Sequence, residues 1–418
     1  MKTRLAALSA GLEELGCEAL LVLAPSSQDS DLASFLPGPA HLGECLLVLP
    51  RGAPPRLGFL TPMEREEAAA TGLALLTPAD LDVSRWASEL PDPAYFLSQV
   101  AGRALELCGV APGRVALAGH GQAGTVQAAC AVLGREGWAW VPGNALMTTA
   151  RKRKEPAELA GLREASAVTC DAFRAVARLL AAATVVPSDG TGELWLEGER
   201  LRVARLRAEI ARVLAGAGDG FEQPRGNILA PAEEGAIPHC SGTPDRVLRA
   251  GESLVVDVFP KGRLFSDCTR TFCVPLPGQP PSEALRRGHA AVREALEEAN
   301  LRARPGLRGW EVQEAVCARF EAAGYPTPIS EPGTTRGYVH NLGHGVGFDV
   351  HELPTFKKAS GAEGVLREGD VFTLEPGLYD PEARWAVRLE DLHHLAEDGL
   401  EVLTPLPYDL DPRAWEAA

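Results

Sequence analysis

The sequence predicts an α/β N-terminal domain over residues 1–150 and an α+β C-terminal domain over 151–418, the second built from two related halves. Three observations predict this. The 418 residues suit about two domains. In the first 150, short apolar strand-like runs alternate with helical patterns. After that, helices followed by a strand pair carrying acidic residues occur twice in order, without a visible sequence repeat.

Taken in order, Leu5–Leu15 has a helical period, and Glu18–Ala24, Glu44–Pro50 and Arg114–Gly119 read as buried strands. This region has no catalytic cluster, and His41 and His120 read as surface or loop residues. Arg151-Lys152-Arg153-Lys154 is expected to be a solvated interdomain connector, because Glu155 and Pro156 follow at once and open a helix. Over Ala157–Ala183, apolar residues at spacings of three and four (Leu159, Leu162, Ala165, Val168, Phe173, Val176, Leu179, Leu180) predict a long amphipathic helix. Pro187–Gly192 reads as a loop and Leu201–Leu214 as another helix. Strands carrying aspartates, helices near 281–302 and 309–323, a histidine-rich motif and two strands carrying glutamates complete the chain.

Composition narrows the function. With 45% hydrophobic and 23% charged residues and a net charge of −15, the chain is globular and a poor partner for nucleic acid. No stretch has membrane-spanning length. Met1-Lys-Thr-Arg4 resembles the start of a signal peptide, but the following Leu-Ala-Ala-Leu-Ser-Ala-Gly-Leu-Glu-Glu-Leu reads as an amphipathic helix, and a cytoplasmic location is expected. The nine cysteines contain no Cys-x2-Cys pair, which argues for free thiols and against a zinc ribbon. Cys240 and Cys268, beside His239 and Asp267, read as small packing residues.

The chemistry concentrates around His340-Asn341-Leu342-Gly343-His344-Gly345-Val346-Gly347-Phe348-Asp349-Val350-His351-Glu352, which holds three of the chain's nine histidines. Upstream lie Asp257, in Val-Val-Asp-Val-Phe, and Asp267, in Ser-Asp-Cys-Thr-Arg-Thr. Downstream lie Glu375, in Thr-Leu-Glu-Pro-Gly, and Glu390, in Val-Arg-Leu-Glu-Asp. Each acid sits in an apolar, strand-like run where a lone charge is costly. A shared counter-charge resolves this, and a metal pair supplies it. A turn at Pro260–Arg263 between antiparallel strands would bring Asp257 and Asp267 together. Arg388 and Glu390 would share a strand face, and Pro376-Gly377 would end the strand before them and set the direction of Glu375. Four carboxylates and one neutral histidine balance two divalent cations, leaving room for a bridging hydroxide. Such donors suit Mn²⁺, Co²⁺, Fe²⁺ or Mg²⁺.

Together these residues resemble the pita-bread metallopeptidases, the superfamily of methionine aminopeptidase, aminopeptidase P, prolidase and creatinase. The resemblance covers about 151–410, and Pro238-His239 also fits its pattern. Residues 1–150 look like the N-terminal domain of the aminopeptidase P, prolidase and creatinase branch. The resemblance implies that Asp257 binds one ion, that His344 and Glu375 bind the other, and that Asp267 and Glu390 bridge both. Glu375 would also take the proton of the attacking water. His239 and His351 would face the scissile carbonyl, His340 would line the pocket beyond it, and Arg388 would hold a ligand carboxylate from behind. Two divalent ions are implied, Mn²⁺ first, with Co²⁺, Zn²⁺ or Fe²⁺ as alternatives.

The chain departs from the pattern around the substrate pocket. The Asp257–Asp267 connection is one residue short, Phe259-Pro260 and Trp385-Ala386 replace expected glycines, and Glu331–Tyr338 lengthens the approach to His340. Arg336 and Tyr338 are therefore candidates for gripping a peptide's C-terminal carboxylate, against loop solvation for Arg336 and core packing for Tyr338. Tyr338, Phe348, Leu353, Pro354 and Trp385 are candidates for an apolar slot that accepts proline. The implied activity is that of a Xaa-Pro aminopeptidase, which hydrolyses the bond before proline with a metal-bridging hydroxide. A prolidase acting on dipeptides and a carboxypeptidase on the same fold stay open. Creatinase chemistry needs no metal, and a non-catalytic binding module would be expected to have lost ligands. A peptide partner and a homodimer or higher homo-oligomer are expected, with neither nucleic acid nor membrane.

Overall fold

The computed structural model describes residues 2–89, 92–188, 191–218, 221–222, 226–358 and 361–417. The chain divides into two compact units, up to Arg151 and from Lys152 onward.

The first unit is a mixed sheet of β1 (Ala19–Ala24), β2 (Cys45–Pro50), β3 (Arg56–Phe59), β4 (Ala74–Leu76), β5 (Arg114–Gly119) and β6 (Ala139–Pro142), in the order β4-β3-β2-β1-β5-β6. β1 lies antiparallel to β2 and parallel to β5. Every residue of β1 is buried because the sheet is covered on both faces. Leu20 and Val22 join a core with Leu8 and Leu12 of the helix Lys2–Glu14. Ala19, Leu21 and Leu23 join another with Val100, Ala104 and Leu105 of the helix Pro93–Leu107. A strand buried on both sides needs an unbroken apolar run, which Ala-Leu-Leu-Val-Leu-Ala supplies. His120 is exposed and donates from Nδ1 to the buried Asp29 Oδ2 at 2.7 Å.

The second unit opens with the helix Pro156–Ala182, started by Pro156 in its first turn and by a reciprocal cap in which the Glu155 N–H donates to Glu158 Oε2 at 2.9 Å. Contrary to expectation, the Arg151–Lys154 run is solvated only at Arg153, while Arg151 and Lys152 are buried. Lys152 lies 3.4 Å from Asp370 and Lys154 lies 2.8 Å from Glu352, with all four side chains buried. β7 (Thr184–Ser188), β8 (Thr191–Leu196) and β9 (Glu199–Arg200) follow, so Pro187, Ser188, Thr191 and Gly192 are strand residues rather than loop. Asp189 and Gly190 of that expected loop lie outside the described residues. After the helix Val203–Gly216 come β10 (Ile228–Pro231), β11 (Arg249–Ala250), β12 (Leu254–Val258) and β13 (Cys268–Phe272). The sheet β10-β12-β13 shares one core with the helices Pro156–Ala182 and Val203–Gly216.

The pattern then recurs. The helix Glu283–Arg302 is capped by Ser282 Oγ, which accepts the Leu285 N–H at 3.2 Å. It is followed by the helix Gly309–Ala322 and by β14 (His344–Gly345), β15 (Glu352–Thr355), β16 (Val371–Leu374), β17 (Gly377–Asp380), β18 (Trp385–Arg388), β19 (Asp391–Ala396) and β20 (Gly399–Val402). One sheet runs β15-β14-β16-β19-β20, and β17 pairs with β18. Both helices pack with residues of β16, β17, β18 and β19 in a second core. Two helix-pair-on-sheet halves thus make up the unit, as the order of acids and helices predicts.

Candidate metal centre

The two aspartates sit on one hairpin. β12 and β13 are antiparallel, with Asp257 opposite Thr269, and Asp267 immediately precedes β13. Alternation along that strand puts Asp267, Thr269 and Thr271 on one face and Cys268 and Arg270 on the other. The threonines bind the second half. Thr269 Oγ1 donates to Glu390 Oε2 at 2.6 Å. Thr271 Oγ1 donates to the Arg388 carbonyl and accepts the Arg388 N–H, both at 3.0 Å.

From the second half, β14 carries His344, and Glu375 directly follows β16, its N–H donating to the Leu342 carbonyl at 2.7 Å. Glycines flank His344 because backbones meet there. A Cβ on Gly343 would lie 2.0 Å from the Thr373 carbonyl oxygen, and one on Gly345 would lie 2.0 Å from that of Leu353. His344 Nδ1 donates to the Gly345 carbonyl at 3.1 Å, which leaves the Nε2 lone pair free. Nε2 lies 3.5 Å from Glu375 Oε1 and 3.7 Å from Asp267 Oδ2. One donor atom each from Asp267, His344 and Glu390 falls within 4.8 Å of the others.

The electrostatics fit a cation among these donors. Burial, with the charge of Asp257 beside it, pushes the Glu390 carboxyl up to about 8. Burial and neighbouring Glu390 push Asp267 and Glu375 well above the usual carboxylate range. Burial also depresses His344 to about 3, keeping its ring neutral. Asp257 Oδ1 and Asp267 Oδ1 are buried with no hydrogen-bond partner among the described residues. Buried acids that repel one another and keep oxygens unpaired are an oxygen-rich donor set for divalent metal.

Behind the acids, Arg388 uses its whole fork. Nη2 donates to Asp257 Oδ2 at 2.6 Å, Nε to Thr269 Oγ1 at 3.1 Å and Nη1 to Tyr379 Oη at 2.9 Å. Tyr379 in turn lies 2.9 Å from His340 Nε2. Because His340 Nδ1 donates to the Asn341 carbonyl at 2.8 Å, its Nε2 accepts the tyrosine proton. Burial lowers His340 to about 4. The chain Asp257–Arg388–Tyr379–His340 therefore has each proton placed.

The other expected site residues are distributed as follows. His351 is exposed, with its ring edge-on to His344 at 4.2 Å between centroids, and burial of part of the ring lowers its pKa. His239 is exposed after Pro238, whose carbonyl accepts from Arg388 at 3.4 Å. Arg336 is exposed in the loop before Gly337, which bridges to Tyr379. Four expectations fail on burial, Phe348 and Pro354 of the apolar slot being buried along with Tyr338 and Trp385. Tyr338 is 0% exposed and donates to Gln313 Oε1 at 3.0 Å, so it packs beneath His340 and offers a ligand no face. Trp385 is buried against Gly288 of the helix Glu283–Arg302 and belongs to the core rather than to a substrate slot. Cys268 is fully buried and donates to the Glu390 carbonyl at 3.3 Å.

Sequence reasoning misses Thr269, Tyr379 and Gln313. Thr269 was detectable, since strand alternation places it on the face of Asp267. Gln313 accepts the Leu342 N–H at 2.5 Å and donates to the His340 carbonyl at 3.3 Å, from a helix remote in sequence.

Comparison with known proteins gives a consistent picture. A model of metallopeptidase family M24 matches residues 160–397. A probable dipeptidase, PepE, of Mycobacterium bovis is 31% identical over 62% of this chain and 60% of its own length. A Xaa-Pro dipeptidase of Pyrococcus furiosus is 33% identical over 51% of this chain and 56% of its own. The chain thus matches less than two-thirds of either relative. The crystal structure of dipeptidase PepE from Mycobacterium ulcerans superposes with a TM-score of 0.72 at 27% identity, covering 97% of this chain and 96% of that one. The pita-bread architecture is common to both.

Proposed function

Because the chain belongs to metallopeptidase family M24, we propose that it is a metal-dependent exopeptidase that releases the residue preceding proline from the N-terminal end of short peptides. The observation that carries the reading is the meeting of Asp267, His344 and Glu390 from both halves, with donor atoms within 4.8 Å. Asp257, Asp267, His344, Glu375 and Glu390 would hold two divalent ions, Mn²⁺ first among them. When bound, such ions neutralise the acids, polarise a carbonyl and make water acidic enough to attack near neutral pH.

The protein's own residues do the rest. Glu375, held by its backbone to Leu342 and facing His344 Nε2, is the acceptor for the proton of the attacking water. His351, whose pKa is lowered, offers a neutral ring N–H toward the developing oxyanion, and His239 faces the same region. Arg388 keeps Asp257 aimed at the centre through the 2.6 Å contact.

A second reading, restriction to dipeptides, is favoured by the Xaa-Pro dipeptidase and probable dipeptidase among the relatives. Mass spectrometry of a Xaa-Pro dipeptide, a Xaa-Pro-Xaa tripeptide and the tripeptide amide separates the two. Release of the first residue from all three supports the aminopeptidase. Cleavage of the dipeptide alone supports the dipeptidase. Loss of residues from the C-terminal end contradicts both.

A further inference from the structure

The loop that carries His351 is anchored from an unexpected place. Lys154, at the start of the second unit, lies 2.8 Å from Glu352 Oε2, with the two side chains 2% and 1% exposed. Glu352 follows His351 directly. Its other oxygen, Oε1, accepts the Asp349 N–H at 3.1 Å. One carboxylate therefore closes the turn 349–352 and ties it to Lys154. The space around the pair is full: a Cβ on Gly347 would lie 2.4 Å from Glu352 Oε2 and 2.8 Å from Lys154 Nζ. Both sides of this anchor are tied down. The Lys154 N–H donates to the Gly369 carbonyl at 3.3 Å and the Phe265 N–H to the Gly347 carbonyl at 2.8 Å. Phe265 belongs to the segment between Asp257 and Asp267, so the loop is fastened to the aspartate hairpin as well. Glu352 is buried, whereas His351, its neighbour in the turn, is exposed. With Glu352 drawn inward to Lys154, His351 turns the other way, onto the edge of His344 at 4.2 Å.

We propose that the buried Lys154–Glu352 ion pair is a positioning device that sets the orientation of His351 toward the metal centre. This rests on the reading of His351 as a catalytic group. Lys154 does no chemistry itself, and its contribution passes through the loop.

The test is a double-mutant cycle on the full-length, metal-loaded protein with a Xaa-Pro peptide. Lys154→Met, Lys154→Arg, His351→Ala and the Lys154→Met/His351→Ala pair are compared for metal content, kcat and KM. Lys154→Met is expected to keep its metal and its KM and to lose kcat by roughly 10–100-fold, the range for groups that orient a metal-site residue. Lys154→Arg, which keeps the charge, recovers most of that loss. In the His351→Ala background the Lys154→Met change costs nothing further, because the residue it positions is gone. Equal losses in both backgrounds, or an unchanged kcat in Lys154→Met, overturn the proposal. Should Lys154→Met fail to fold, Glu352→Gln, which keeps the side-chain shape, takes its place in the cycle: a kcat loss that vanishes in the His351→Ala background supports the proposal, and an equal loss in both backgrounds overturns it. A wild-type kcat in His351→Ala alone overturns the reading of His351 itself, an outcome distinct from additivity.

Discussion

Thr269 and Glu390 are joined twice. The Thr269 hydroxyl donates to Glu390 Oε2 at 2.6 Å, and the Thr269 carbonyl accepts the Glu390 N–H at 3.0 Å. One residue of the first half thereby fixes both the backbone and the carboxylate of an acid from the second. Thr269→Val removes the hydroxyl and keeps the shape. We expect the fold to persist and divalent metal affinity to fall roughly 10–100-fold. Metal titration followed by calorimetry checks this, and unchanged affinity would remove Thr269 from the centre.

Glu375 and His351 should separate metal binding from turnover. Glu375→Ala deletes a donor beside His344 Nε2 and the proposed proton acceptor, so metal content and rate should both drop. His351→Ala should keep metal and lose kcat by roughly 10²–10³-fold, as for a lost oxyanion donor. Elemental analysis and steady-state kinetics on the two variants read the split directly.

Stability behind the site depends on Arg270. Its guanidinium, 1% exposed, pairs with Asp391, 0% exposed, at 2.7 Å, and Asp391 also accepts from Thr404 Oγ1 at 3.0 Å and Tyr408 Oη at 2.6 Å. Asp391→Leu strips the counter-charge from a buried cation, a change of about 3–5 kcal/mol. Urea unfolding should report that loss, and a loss below about 1 kcal/mol would mean the carbonyls around Arg270 suffice.

Metal-free protein should weaken as pH rises. Burial raises the Glu390 carboxyl to about 8, and Asp267 and Glu375 are raised well above the usual range. In the unfolded chain such acids lose their protons near about 4. Between those values the folded state holds more protons, so stability falls with increasing pH. The buried His340 and His344, lowered to about 4 and about 3, act in the opposite sense, but only below about 6.5, where unfolded histidine protonates. From about pH 7 up to about 8 the acids dominate. Chelator-treated protein should show a falling Tm over that window, and Mn²⁺ should restore it most at the alkaline end. A rising Tm without metal would contradict the shared-charge account.

Much of this was legible from the chain. An acid inside an apolar run is an anomaly that can be read without coordinates, and Asp257, Asp267, Glu375 and Glu390 each announce themselves that way. The helix–helix–sheet order repeats because each half buries its own core, and amphipathic spacing records that. What stayed hidden depends on pairing between distant segments. Lys154 reads as solvated next to Arg151–Arg153 until Glu352, 198 residues away, supplies its partner. Tyr338 and Trp385 read as pocket residues because they adjoin the motifs, yet the helices Gly309–Ala322 and Glu283–Arg302 cover them. Proximity in sequence is a poor guide to which face of a residue is covered.

Metal stoichiometry against activity tests the central claim most directly. Chelated, folded protein is titrated with Mn²⁺ while hydrolysis of a Xaa-Pro peptide and bound metal are followed together. The donor set formed by Asp257, Asp267, His344, Glu375 and Glu390 predicts no activity at the start and a plateau near two ions per chain. Full activity in the chelated protein, or a plateau at one Mn²⁺ per chain, would contradict it.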